Sequence, residues 1–325
     1  MHARVTGLVF AIYYPVLAVL GIPGNLVTIV ILSQEKCGLS KCITRYLLGM
    51  AVTDLLFLLM AVVLHRISML YFPDLFLHTT PVCSARIVLI LMARDSSVWL
   101  TVAFTFDRFI AICCPKLNTK YCNERVAAIA IGTVCALSCV KNIPWYFLYE
   151  PLYTINNVPW YCNIKLSFYS DLLWAILEWI DRILIPFAPF LLMLVLNALT
   201  VRHILLANRA RRRLRPRSNR ENQSDPEMSS RRKSIILLFT ISGTFIVLWM
   251  AYFLNFLNVR IKSGNYSTGS ANEPTFLFQE IGIMLQLLNC STNTCTYAAT
   301  QRKFREEFKR GLNYPLNLFI NRVKS

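Results

Sequence analysis

The stretch Trp99-Leu-Thr-Val-Ala-Phe-Thr-Phe-Asp107-Arg108-Phe109-Ile-Ala-Ile-Cys-Cys-Pro115 closes an apolar run that begins near Pro81 and contains neither Gly nor Pro in between. Such a run reads as one long helix meeting an adjacent Asp-Arg pair. A charge at the centre of a bilayer costs about 3 kcal/mol, so the pair belongs where the helix emerges into water. Two readings fit it. A snorkelling pair can anchor a helix end. Alternatively the pair is a switch, with Arg108 held by Asp107 in one state and released to a partner in another. The rest of the chain has to separate the two.

Composition sets the frame. Of 325 residues 55% are hydrophobic and only 16% charged, with a mean hydropathy of +0.48. Soluble domains carry about 25% charged residues, so this balance points to a polytopic membrane protein. The net charge of +17 raises a nucleic-acid reading. That reading fails because the basic residues sit in short loops between apolar stretches and not on one face. The first apolar run, from about Val5 to Leu32, is too long for a cleavable signal and is expected to act as its own anchor.

Seven apolar stretches are each long enough for ~30 Å of hydrocarbon: 7–33, 43–70, 81–113, 124–147, 171–206, 232–260 and 275–298. Basic residues crowd alternate connections: Lys36 and Lys41; Lys116, Lys120 and Arg125; Arg209 to Arg220 with Arg231, Arg232 and Lys233; and Arg302 to Arg310. The asymmetry places the N-terminus outside and the C-terminus in the cytoplasm. The polar segment 208–230 reads as a cytoplasmic loop, either a topology signal alone or a basic surface for anionic lipid or a protein partner. Beyond the seventh span, Phe304 and Phe308 lie one turn apart among charges, the spacing of a short amphipathic helix on the inner leaflet.

Of the 11 Cys, this topology leaves only Cys83 and Cys162 facing an oxidising compartment, and elimination pairs them. Asn265-Tyr-Ser267 is a glycosylation sequon in the third outer loop; Asn222-Gln-Ser224 and Asn289-Cys-Ser291 fall on the wrong side or inside a span.

Polar residues within spans need partners and point to function. Asn25, Asp54, Ser97, Asn289 and Asn293 lie at similar depth. They form either a structural polar network or a centre that holds a small cation such as Na⁺. Nearer the outer face are His65, Arg66, Arg94, Asp95, Lys141, Glu178, Asp181, Arg182 and Glu280. Adjacent residues on a helix diverge by about 100°, so Asp95 is expected to pair with Lys141 or Arg182, and Arg94 to face Glu280 or an anionic ligand group; a wholly internal salt-bridge network is the alternative.

Taken in order, these residues resemble the rhodopsin-like (class A) G-protein-coupled receptors over nearly the whole chain. The matches are Gly24-Asn25; Ala51-Val-Thr-Asp54; Cys83, Ser97 and Asp107-Arg108-Phe109; Pro189 and Asn197; Phe245 and Trp249; Asn293-Thr-Cys-Thr-Tyr297; and Phe304. The resemblance implies an all-α seven-helix membrane bundle over 1–298, with an amphipathic eighth helix and tail over 299–325. It implies a Cys83–Cys162 bridge and a polar, Na⁺-binding centre of Asp54, Ser97, Asn289 and Asn293 with Asn25. A toggle of Trp249 and Phe245 would lie beneath a pocket lined by Ile90, Arg94, Asp95, Tyr252 and Glu280. Asp107, Arg108, Tyr297 and Asn197 would form the switch that opens to a heterotrimeric G protein at the plasma membrane.

The chain departs from the pattern at Ala251, where Pro usually follows the Trp, at Thr294, where Pro follows the Asn, and at Phe109 in place of Tyr. Ile90 stands where amine receptors carry Asp, and no Lys lies in span seven. Other strings, such as Leu287-Leu-Asn289, resemble orphan receptors near the small-peptide and aromatic-amino-acid responders. The expected ligand is therefore a small molecule or short peptide. A transporter would want inverted repeats with broken helices, and an enzyme a catalytic constellation such as HExxH or GxSG; neither pattern is present. A non-signalling or decoy seven-helix receptor is the first alternative, and a small-solute membrane transporter the second.

Overall fold

An apolar stretch in a bilayer has no partner for its backbone but itself, and so closes its own hydrogen bonds as helix. The computed structural model describes residues 2–35, 37–214, 226–262 and 274–310; the sequons at Asn222 and Asn265 lie outside the described residues. Among those described, seven long helices follow in order, here called spans one to seven. They are His2–Ser33, Lys41–Tyr71, Thr80–Cys113, Glu124–Leu148, Leu172–Ala207 (helical on to Leu214), Pro226–Lys262 and Pro274–Thr300. Six are long and apolar enough to cross a membrane. The seventh has the length, 27 residues, with more Gln, Asn, Ser and Thr. The chain is a multi-pass membrane protein built as a helix bundle.

Local chemistry sets the helix ends. Ser40 accepts from the Ile43 N–H and Asn123 from the Val126 N–H, each satisfying an orphan donor of a first turn. Pro81 and Pro115 sit in first turns, where no N–H is missed. Span five is not one unbroken helix. Ile185 is extended (φ −146°, ψ 113°) because the ring of Pro186 crowds the helical conformation of the residue before it. Span six, lacking Pro after Trp249, runs unbroken for 37 residues.

Span three is the hub, touching spans two, four, five and six, and most of its residues from Ala93 to Arg108 are buried. Span four is peripheral, with Ala127, Ser138, Asn142 and Leu148 its buried residues. Bare apolar side chains such as Val19, Leu137, Val140 and Val247 cover the outside of the bundle, the surface a bilayer demands and water would not tolerate.

Between spans four and five the chain forms a β-hairpin, Tyr153–Ile155 against Val158–Trp160, with Ile155 opposite Val158. Its two turn residues, Asn156 and Asn157, have φ of 49° and 60°, the type I′ geometry that Asn tolerates. The hairpin is tied down by the Cys83–Cys162 disulfide, by Tyr161 N–H to the His78 carbonyl at 2.6 Å and by Thr80 Oγ1 to the Tyr161 carbonyl at 2.7 Å.

At the opposite end, residues 302–310 form the short amphipathic helix. Phe304 is fully buried, edge-on to Tyr297 at 5.9 Å and stacked near Phe308. It anchors this helix into protein and not into lipid.

Candidate functional site

The polar residues of the spans gather at three levels. At mid-depth Asp54 is fully buried. Its Oδ1 accepts from Ser97 Oγ at 2.5 Å and its Oδ2 from Asn293 Nδ2 at 2.6 Å, joining spans two, three and seven. Asn25 does not reach Asp54. Its Nδ2 donates instead to the carbonyls of Gly21 (2.9 Å) and Cys290 (3.0 Å), tying span one to span seven. Asn289 is buried one turn from Asn293 on the same face and does not bond to the carboxylate. A carboxylate oxygen has more than one acceptor site, so Asp54 and the Ser97 hydroxyl oxygen suit a small hard cation such as Na⁺.

At the Arg108 end, the guanidinium folds back on its neighbour, with Nε to Asp107 Oδ2 at 2.9 Å and a second bond from Nη2. Arg108 Nη1 also reaches Ser234 Oγ of span six at 3.4 Å. Asp107 is held by two thiols: Cys42 Sγ donates to its Oδ1 at 3.1 Å and Cys122 Sγ to its backbone carbonyl at 3.4 Å. Burial, with Asp107 alongside, pushes the Cys122 thiol up to about 12, so it stays protonated and donates. Asn197 does not face Arg108; it exchanges hydrogen bonds with Ser242 of span six at 2.9 and 3.1 Å. Tyr297 is buried with no hydrogen-bond partner for its hydroxyl among the described residues.

Above mid-depth, Phe245 stacks on Trp249 at 5.0 Å and Tyr252 meets Trp249 edge-on at 6.0 Å. Arg182 Nη1 donates to the Tyr252 hydroxyl at 3.1 Å. Ile90 is half-buried and packs against the apolar cluster that includes Tyr14, Leu58, Ala93 and Leu287. Asp95 takes Lys141 Nζ at 2.6 Å and Asn142 Nδ2 at 2.8 Å, while Asp181 takes Lys141 at 2.5 Å. The expected divergence of Arg94 from Asp95 does not occur. The long Arg94 side chain curls back to Asp95 Oδ1 (Nε 2.9 Å) and on to Asp181 at 3.4 Å. Glu280, the expected target of Arg94, is taken by Arg66 at 2.9 Å. Three cations and three carboxylates (Arg94, Lys141, Arg182, Asp95, Asp181, Glu178) thus compensate one another across spans three, four and five.

Cys42, Ser234 and Ser242 escape the sequence reading. Ser234 and Ser242 are eight residues apart, which brings them to one face of span six, and that spacing was the available signal. For Cys42 nothing marks a partner 65 residues away.

The order of these groups along the chain is the order of a known family. Residues 24–297 match the family of 7 transmembrane receptors (rhodopsin family). The chain belongs to the rhodopsin family. Among curated relatives of this receptor, the FMRFamide receptor of Drosophila melanogaster is 25% identical over 307 residues, 90% of this chain and 52% of its own length. Galanin receptor 2a of Danio rerio is 21% identical over 323 residues (99% and 83%). Probable G-protein coupled receptor 142 of Mus musculus is 24% identical over 304 residues (93% and 72%). The receptor spans about half the length of the first of these. It is a rhodopsin-family G-protein-coupled receptor and not an enzyme.

Proposed function

We propose that this receptor binds a short peptide or small molecule from outside the cell and passes the signal to a heterotrimeric G protein. The observation that carries the reading is the closure around Arg108: its guanidinium is spent on Asp107 of its own span and on Ser234 of span six, and an outward swing of span six would break the second bond and leave Arg108 held by Asp107 alone. A ligand favouring the swung state shifts the population by its difference in affinity for the two states. Two of the named relatives are receptors for FMRFamide and galanin, which favours a peptide. The basic loops argue for an N-terminus outside and a C-terminus in the cytoplasm of a plasma-membrane protein, with inner-leaflet lipids against the arginines of 209–232. Asp54 and Ser97 would hold Na⁺ when it binds, neutralising the carboxylate between spans two, three and seven. Asn25, Asn289, Arg94, Ile90 and Glu280 support the site or line the pocket above it, and Asn265 would carry the glycan.

The test is guanine-nucleotide exchange by a panel of heterotrimeric G proteins on membranes containing this chain, during a peptide and small-molecule screen. Exchange should appear with the wild type and fall at least tenfold in Arg108→Ala at equal surface level. Binding of a ligand with no exchange on any G protein would favour the decoy reading, for which Ala251 and Thr294 in place of prolines are the specific observation.

A further inference from the structure

Gly21, Gly24, Asn25 and Thr28 fall at i, i+3, i+4 and i+7, a single stripe of span one, and the stripe faces span seven. The two helices are close enough there that a Cβ on Gly21 would stand 2.3 Å from Ser291 Oγ, and one on Gly24 3.3 Å from Thr294 Oγ1. Small residues permit such an approach in a membrane, where packing and hydrogen bonds and not the hydrophobic effect hold helices together.

Within that seam the hydrogens can be assigned. Thr28 Oγ1 lies 2.9 Å from the Gly24 carbonyl and 2.9 Å from Thr294 Oγ1. A hydroxyl carries one hydrogen. With Thr28 donating to Gly24, the Thr294 hydroxyl is the donor across the interface. A buried helical Thr ordinarily donates back to the carbonyl four residues earlier, which for Thr294 is that of Cys290. Here Asn25 Nδ2 has taken that carbonyl at 3.0 Å, which leaves Thr294 to bond span one. Its neighbour Asn293 simultaneously bonds Asp54 of span two. Consecutive residues of span seven thus fasten it to two different spans. No Pro follows Pro274 in this helix, so nothing kinks it away from the seam.

We propose that the Thr28–Thr294 hydrogen bond is a latch: it holds span seven on span one, keeps Asn293 on Asp54 and thereby sets how rarely the receptor opens without ligand. Thr294 acts through Asn293 and is a positioning residue. The inference rests on the reading of the chain as a G-protein-activating receptor.

The test measures basal nucleotide exchange by heterotrimeric G proteins on membranes holding equal amounts of the full-length chain. Thr294→Val and Thr28→Val keep the shape and remove the bond. Each should raise basal exchange about threefold, the population shift that one net hydrogen bond supports. The double variant should go no further than either single one, since both remove the same bond, and Thr294→Ser should return to the wild-type level. If Thr294→Val does not reach the membrane, Thr28→Val and the pair Thr28→Cys/Thr294→Cys, bridged by mild oxidation, carry the test; bridging should lower basal exchange. Asp107→Asn, which frees Arg108 directly, serves as the control. Exchange raised by Asp107→Asn but unchanged by both valines overturns the latch and leaves the receptor reading standing. No exchange from any variant, Asp107→Asn included, overturns the receptor reading and the latch with it.

Discussion

At the scale of the residue, the charged groups of spans three, four and five nearest the hairpin pair with one another inside the protein. Lys141 is the centre of the largest group, bonded to both Asp95 and Asp181. Removing one member of a buried ion cluster leaves charge unpaired and costs about 3 kcal/mol or more. Lys141→Met should therefore lower the thermal unfolding midpoint in detergent by roughly 5 °C. An unchanged midpoint would mean that the cluster does not hold spans three, four and five together. Residue types were legible: Asp54, Ser97 and Asn293 stand out as polar groups in apolar runs, and they do meet. Pairings were not legible, as Arg94 shows, because four rotatable bonds let an Arg reach back to its own neighbour. The same holds for Asn197, whose partner Ser242 is marked only by its spacing from Ser234 and not by anything that names Asn197.

At the scale of the element, the disulfide end is organised by a junction the sequence does not announce. His78 is buried, its ring stacked on Tyr161 at 5.8 Å and 13°, and its carbonyl accepts from the hairpin. Burial first, and then the Arg86 charge, lower its pKa from the ordinary 6.5. A group whose folded pKa is depressed adds stability that is full above the unfolded pKa and is lost as pH falls below it. The junction should loosen below about pH 6.5. Hydrogen exchange of residues 76–83 and 158–162, corrected for intrinsic rates, should speed up between pH 7.4 and 5.5. In His78→Phe, which keeps the ring, the increment should vanish; a persisting increment would assign it elsewhere. The hairpin itself had a readable signal in Asn156-Asn157 between β-branched and aromatic residues, whereas the break at Ile185 is explained by Pro186 once the helix is known to continue past it.

At the scale of the whole molecule, the bundle predicts its own orientation. In the proposed orientation, basic loops lie on one side and the disulfide-tied hairpin on the other, with the C-terminus inside. An epitope after Ser325 should bind antibody only after cells are permeabilised, and one before Met1 without permeabilisation. The reverse pattern would sink the proposed direction of signalling. The absent prolines at positions 251 and 294 have a structural counterpart in two unbroken helices, one of which meets Ser234 to Arg108 and the other Thr294 to Thr28. Mobility that kinks would supply must then come from breaking such side-chain bonds.

Sequence by itself determined the number and order of the spans, the Cys83–Cys162 pairing and the family. Each of these follows from one-dimensional quantities: run length, the alternation of charge between loops, and the order of motifs. Tertiary structure alone decided that Arg108 also reaches Ser234, that Arg94 stays within its own ion cluster, and that Thr294 bonds Thr28. Those outcomes depend on the rotation and separation of neighbouring helices, which hydropathy does not encode. The Asp107-Arg108 pair is thus legible in the chain as two adjacent charges at the end of a span, while the bond from Arg108 to Ser234 is visible only in the bundle.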